Sequence, residues 1–296
     1  MIRPANFGFN SETAGSNSFQ HRVNDIESGA IALAGRREFD EVVETLKSCK
    51  IDIIIAEDTP EPAKPDAVFP NNWISFHEDG TVVFYPMLAK NRRIERRSDI
   101  LDQVLKTPYF SYKRLVDYSK FEKRRKFLEG TGSIVLDKEY KIAYASISSR
   151  TDEELFINLC TELKMEPFVF RAFDKERKPI YHTNVILTIT SEFAIVCCQA
   201  IQDEKEKEKL QYKLAGSGKS IIEISMEQVS NFCGNCLELF GPGGESFLIM
   251  STTAYQSFHQ TQLADIGRFS KIVTVPIPTI EYYGGGSARC MICEIS

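Results

Sequence analysis

Five positions along this 296-residue chain carry the side-chain types of a covalent-catalysis site. Asp66, Glu129, His182 and Asn235 each stand just ahead of a hairpin-like apolar stretch, and Cys290 follows the run Gly284, Gly285, Gly286. A thiol is only a few per cent thiolate at neutral pH, yet it is intrinsically very nucleophilic, and a nearby cation raises the thiolate fraction. An imidazole can pass protons near neutral pH. Two carboxylates can hold a cationic group in one orientation. Glycines ahead of the cysteine permit φ > 0 and a close backbone approach, as a tight loop delivering a side chain would need. Each residue also has a bland reading: a core thiol, a hydrogen-bonded histidine, acids doing turn chemistry beside Gly or Pro. What joins them is their placement at equivalent points of a repeat.

The repeat supplies the elements that would position them. The hairpin-like stretches are Trp73–Pro86, Ile134–Ile147, Val185–Gln199 and Leu237–Met250, and their starts are 61, 51 and 52 residues apart. Periods near 50 residues are the mark of repeat architectures. Between them the apolar period lengthens to that of a helix over Ile94–Leu105, Asp152–Leu163 (with Thr151 as N-cap), Asp203–Leu214 and Ala254–Phe269. Short apolar runs follow at Pro167–Phe170, Ser220–Ile224 and Lys271–Pro276. Each unit therefore reads strand, turn, strand, helix, strand. An extended Ile2–Phe9, a helix over Ala30–Ser48 and a strand over Ile51–Ala56 complete a fifth unit whose first strand is Met291–Ile295. The expected fold is a single α/β domain over residues 1–296, closed so that few sheet edges stay exposed.

Composition limits the function. The chain is 43% apolar and 26% charged with a net charge of −5, which fits a globular protein and argues against a nucleic-acid surface. The basic runs Arg92–Arg97 and Lys120–Lys126 read as solvated helix faces. No stretch approaches the ~18 apolar residues of a membrane span, and the opening MIRPANFGFNSETAG lacks an apolar signal segment, so a cytoplasmic protein with no membrane partner is expected. In that compartment the eight cysteines read mostly as reduced core thiols. A competing constellation is Cys233/Cys236 with Cys290/Cys293, two C-x-x-C pairs that could hold zinc in a non-enzymatic propeller.

Several motifs carry a resemblance. They are Arg3-Pro-Ala-Asn-Phe-Gly-Phe-Asn10 with Asn17-Ser-Phe-Gln20, Asp66-Ala-Val-Phe-Pro-Asn-Asn-Trp73, Glu129-Gly-Thr-Gly-Ser133, Ser148-Ser-Arg-Thr151, His182-Thr-Asn184 and Gly284-Gly-Gly-Ser-Ala-Arg-Cys-Met291. In this order, over nearly the whole chain, they resemble the guanidino-group-modifying superfamily of arginine deiminases, dimethylarginine dimethylaminohydrolases and amidinotransferases. Within it the chain is most similar to amidinotransferase-like proteins of the citrulline-utilisation hydrolase type. The resemblance implies a five-bladed α/β propeller of ββαβ units (a pentein), working without cofactor or metal. It implies Cys290 as nucleophile, His182 as general acid and base, Glu129 and Asp66 as carboxylates on the guanidino group, and Arg150 and Arg93 on the substrate's α-carboxylate. Phe69, Asn72 and Asn184 fall in the same substrate-binding motifs.

The departures from the family pattern concern the pocket's charge. Asn184 stands where several deiminases have aspartate, Asn72 where the dimethylarginine hydrolases have one, and Gly-Thr-Gly-Ser replaces Gly-Gly-Asp. A less acidic pocket suits a neutral ureido group, because an amide can both donate and accept. The expected activity is hydrolysis of a C–N bond in a guanidino or ureido amino acid such as citrulline, arginine or a methylarginine. The alternatives are amidino transfer to an amine and the non-enzymatic amino-acid-binding propeller. The sequence is compatible with a homo-oligomer.

Overall fold

A few alternating apolar residues, a tight turn and a second apolar run are enough to close a short antiparallel hairpin, and the chain does this four times. The computed structural model describes residues 1–21 and 28–295. Its backbone forms two compact units, Met1–Gly130 with Ile277–Ser296, and Thr131–Pro276.

In the first unit, Ile74–Phe76 pairs antiparallel with Thr81–Phe84, and Arg114–Asp117 adds in parallel. The hairpin turn ends at Gly80, whose φ is +84°; a β-carbon there would lie 2.5 Å from the Ser111 carbonyl oxygen, so only glycine fits. A smaller sheet pairs Ile2–Arg3 in parallel with Ala56–Glu57. The core of this unit gathers Ile2, Trp73, Ile74, Phe76, Val82 and Met87 with Ile100, Leu101 and Val104 of the helix Ser98–Leu105.

The second unit repeats the pattern three times. Val135–Asp137, Leu187–Ile189 and Leu237–Phe240 pair antiparallel with Ile142–Ser146, Phe193–Val196 and Ser246–Ser251. Each second strand then takes a parallel partner, respectively Glu166–Phe170, Ser220–Glu223 and Lys271–Val275. A parallel partner needs a crossover, and helices Glu153–Leu163 and Glu204–Gly216 supply two of them. Both start on an aspartate: Asp152 accepts from the Leu155 N–H and Asp203 from the Glu206 N–H, each at 3.0 Å. The first ends on Lys164 in the left-handed region (φ 55°).

Local chemistry explains where the elements differ from expectation. The cap at the first crossover is Asp152 rather than Thr151, since only the former accepts from the first turn. The Ala254–Phe269 helix is two, Thr252–Ser257 and Gln260–Ile266, because Phe258 is extended (ψ 141°) and Ser251 and His259 each start a new first turn. Of Ile51–Ala56 only the end is paired, as Ala56–Glu57. Met291–Ile295 is no strand: the chain leaves the 3-10 turn Ala288–Met291 irregularly.

Candidate active site

Cys290 sits in that 3-10 turn, buried at 6% exposure, and the loop ahead of it is fastened from several sides. Gln20 Nε2 donates to the Gly284 carbonyl at 3.1 Å, and Asn17 Nδ2 lies 3.4 Å from the Gly284 and Gly285 oxygens. The Thr279 and Ile280 N–H groups donate to Glu38 at 2.8 and 2.9 Å. Ser287 Oγ donates to the buried Glu281 carboxylate at 2.6 Å. Two of the glycines are demanded by Phe69, whose ring would lie 2.8 Å from a β-carbon at 284 and 2.9 Å from one at 286. Gly285 takes the left-handed conformation at φ +62°. A glycine ribbon against an aromatic ring thus leads into the thiol.

The turn Pro70–Asn72 packs against the Cys290 turn. Behind it lie buried charges. Arg92 gives Nε to both Glu95 oxygens at 3.0 and 3.2 Å and Nη2 to Glu95 Oε2 at 2.9 Å. Its Nη1 donates to Asn72 Oδ1 at 2.9 Å and its Nη2 to the Phe69 carbonyl at 3.3 Å. Asp66 Oδ2 lies 3.6 Å from Arg92 Nε and accepts from Asn10 Nδ2 at 2.7 Å. Glu129, fully buried, accepts from the Leu88 N–H at 3.0 Å. The next residue, Gly130, has φ +47° and lies so close to the Asn71–Asn72 backbone that a β-carbon would be 2.1 Å from the Asn71 oxygen. Glu129 is thereby held against the Asn72 turn.

Among the described residues, Arg92 faces three buried acids, Glu95, Asp66 and Glu129. Burial pushes the Glu95 carboxyl up to about 7, Arg92 opposing this and Asp66 and Glu129 adding to it. Burial alone would lower Arg92, but Glu95 first, then Asp66 and Glu129, raise it on balance.

The second unit carries the remaining candidates. His182 is buried at the start of the 3-10 turn Thr183–Val185, and its ring centroid is 4.6 Å from that of Tyr181. The Arg150 guanidinium lies 4.8 Å from the Tyr181 centroid, a cation–π contact. Ser148 joins the two segments, donating from Oγ to the Tyr181 carbonyl at 2.8 Å and accepting from the Arg150 N–H at 3.1 Å. Ser133 Oγ donates to the Arg150 carbonyl at 2.8 Å. Asn184 is buried, its carbonyl accepting from Asn235 Nδ2 at 3.2 Å.

The sequence matches the family described as N,N dimethylarginine dimethylhydrolase, eukaryotic, over residues 3–296. The chain belongs to that family. No curated protein matches it by sequence. Among solved structures it is similar to the N-terminal domain of ArgZ, an arginine dihydrolase from the ornithine-ammonia cycle in cyanobacteria, bound to substrate (16% identity, TM-score 0.74, 98% of this chain and 95% of that one). It is similar to AgrE with L-arginine (19%, 0.75, 98% of this chain and 39% of that one). It is also similar to a dimethylarginine dimethylaminohydrolase adduct with 4-chloro-2-hydroxymethylpyridine (15%, 0.63, 98% and 96%). The superfamily expected from the motifs is therefore the right one, with an α/β fold of several small sheets.

Within this dimethylarginine-hydrolase-family chain, the first unit brings Asp66, Phe69, Asn72 and Glu129 around the turn next to Cys290. Arg93 lies beside the charge cluster: its Nε donates to the Met87 carbonyl at 3.0 Å and lies 3.3 Å from Glu122, and it is Arg92 that enters the cluster. Arg289, next to Cys290 in sequence, gives Nη1 to the Ile292 carbonyl at 3.0 Å and lies 3.4 Å from Glu294. Sequence reasoning missed Arg92, Glu95 and Asn10 as members of the cluster. The i, i+3 spacing of Arg92 and Glu95 in one turn was the available signal.

The C-x-x-C cysteines are engaged otherwise. Cys233 Sγ donates to the Ala254 carbonyl and Cys236 Sγ to the Cys233 carbonyl, at 3.4 and 3.3 Å, and burial raises the Cys236 thiol well above its usual range. Among the described residues, no group of three or more His, Cys, Asp or Glu is arranged to hold a metal ion. No helix among them is long and apolar enough to cross a membrane.

Proposed function

We propose that the protein is a hydrolase that cleaves a C–N bond of a guanidino or ureido amino acid through a covalent intermediate on Cys290. Family membership over residues 3–296 supports the reaction class. The observation that carries the reading to this chain's residues is the glycine-delivered Cys290 turn packed on the Asn72 turn, with Asp66 and Glu129 behind it. The guanidino or ureido carbon is resonance-stabilised and a poor electrophile, so orientation by fixed polar groups must supply much of the rate. The Cys290 thiolate forms an S–C bond, and the C–N bond to the leaving amine breaks as His182 gives that nitrogen a proton. The same imidazole then takes a proton from water, which adds to the carbon and releases Cys290. Arg150 and Arg93 suit the substrate carboxylate, for which a guanidinium's planar fork is well shaped.

In this reading the four ββαβ sheets and the Ile2–Arg3/Ala56–Glu57 pair are five blades of one propeller domain, residues 1–296, working without cofactor in the cytoplasm. The test is a screen of arginine, methylarginines, agmatine and citrulline for ammonia, amine or ornithine release, with Cys290→Ser alongside. Turnover by the native protein and none by the variant is expected. Equal turnover by both would remove the covalent mechanism, and turnover of none of the compounds would remove the activity.

A further inference from the structure

The buried amide of Asn72 has its oxygen taken and its nitrogen without a partner among the described residues. Its Oδ1 accepts from Arg92 Nη1 at 2.9 Å, while no described residue accepts a hydrogen bond from its Nδ2. A guanidinium carries five N–H donors and no acceptor. The amide therefore has to turn its oxygen to Arg92, because the flipped amide would set NH₂ against N–H.

Arg92 cannot move to accommodate the alternative. Its Nε and Nη2 are fixed on Glu95 and on the Phe69 carbonyl, and its side chain is almost fully buried. The backbone under Asn72 is equally constrained, by Pro70 at the start of the turn, by Gly130 against it and by the Cys290 turn alongside.

Resting on the function proposed above, we infer that Arg92 is a positioning residue for substrate choice: it locks the Asn72 amide so that a ligand beside Cys290 meets a donor. A ureido group offers an oxygen to that donor. A guanidinium offers only further N–H groups and leaves Nδ2 buried and unsatisfied, which is enough to weaken binding by about tenfold or more. Aspartate at 72 would reverse the preference, since Arg92 would hold one oxygen and the other would face the ligand as an acceptor. Glu95 belongs to the same device. It occupies the two N–H directions that would otherwise let Arg92 rotate away.

The experiment measures Kd of L-citrulline and L-arginine by calorimetry on Cys290→Ala protein, where binding is read without turnover. A citrulline preference of roughly tenfold or more is expected. It should fall to near parity with Asn72→Ala added and invert with Asn72→Asp. Arg92→Lys keeps a donor-only side chain and should retain the preference. Arg92→Gln, which can also accept, should lower it toward parity with little change in the sum of the two affinities.

A ratio that stays within threefold of its starting value in either Asn72 variant overturns the inference, and so does a folded Arg92→Gln protein with its preference intact. If Arg92→Gln does not fold, the Asn72 pair and Arg92→Lys still decide. Failure of both ligands to bind also overturns it, whereas turnover by the unmodified protein judges the hydrolase reading separately.

Discussion

Gly286→Ala should cost more in rate than in stability. The added methyl carbon would lie 2.9 Å from Phe69 Cε1 and Cζ and 3.3 Å from Cδ1. Ordinary carbon contacts are about 3.5–4.0 Å, so a gap of about 0.6–1.1 Å has to open. Phe69 is 3% exposed and cannot retreat into solvent, so the loop gives way. Overpacking of this kind costs about 1–3 kcal/mol, a fall in Tm of several degrees. The turn that carries Cys290 begins immediately beyond Ser287, so most of the displacement reaches the thiol. A misplacement of about 1 Å can cost roughly 10²-fold in rate. The assay pairs kcat on whichever substrate the screen yields with the rate of Cys290 alkylation by iodoacetamide, at matched folded fraction. Adding Phe69→Leu should restore most of the lost Tm. A Gly286→Ala protein with kcat within threefold of native would refute the claim that the glycine ribbon sets the thiol's position.

Iodoacetamide at substoichiometric levels should label Cys290 ahead of Cys160, Cys197 and Cys198, whose thiols burial pushes up to about 12, 11 and 11; peptide mapping reads the order. His182→Ala should lose about 10²–10⁴-fold in kcat with Tm nearly unchanged, and unfolding at ordinary temperature would instead mark a structural role. Glu95, raised from 4.5 to about 7, binds more protons folded than unfolded between those values, so its contribution to stability is full below about pH 4.5 and is lost as pH rises through about 7. Urea midpoints across pH 5–8 should therefore fall less steeply in Glu95→Gln than in the native chain. Arg150→Ala should raise KM more than it lowers kcat; steady-state kinetics that show the reverse would argue that Arg150 acts on the reacting end.

The hairpins were legible because their signal is local. Alternation, a turn and a second apolar run settle Ile74–Phe76 with Thr81–Phe84 within a dozen residues, and the other three follow the same rule. Three parallel third strands were legible as apolar runs after a helical period, but Arg114–Asp117, with only Leu115 and Val116 between charged residues, was not. The fifth repeat was misread where tertiary context decides: Met291–Ile295 has a strand's composition, but the chain there leaves a 3-10 turn. In the candidate site, Asp66 and Glu129 were visible by spacing and Asn72 only through the family resemblance. Arg92 was hidden by its neighbour. Among the four arginines of residues 92–97 only burial distinguishes Arg92, enclosed in the cluster, from its half-buried neighbours, and burial follows from how the 3-10 turn Lys90–Glu95 is seated.

The seat of Cys290 joins parts of the chain that are made at very different times. Asn17 and Gln20 hold the carbonyls of Gly284 and Gly285 across sequence separations of 264 to 268 residues. Such a contact contributes nothing until almost all of these residues have left the ribosome, and its loop closure comes late in folding. A nascent chain interrupted before Gly284 has the carboxylate motifs but neither the thiol nor the ribbon that presents it. Cys290 is therefore introduced only as its setting becomes able to close, and a chain that stops before Gly284 lacks this thiol.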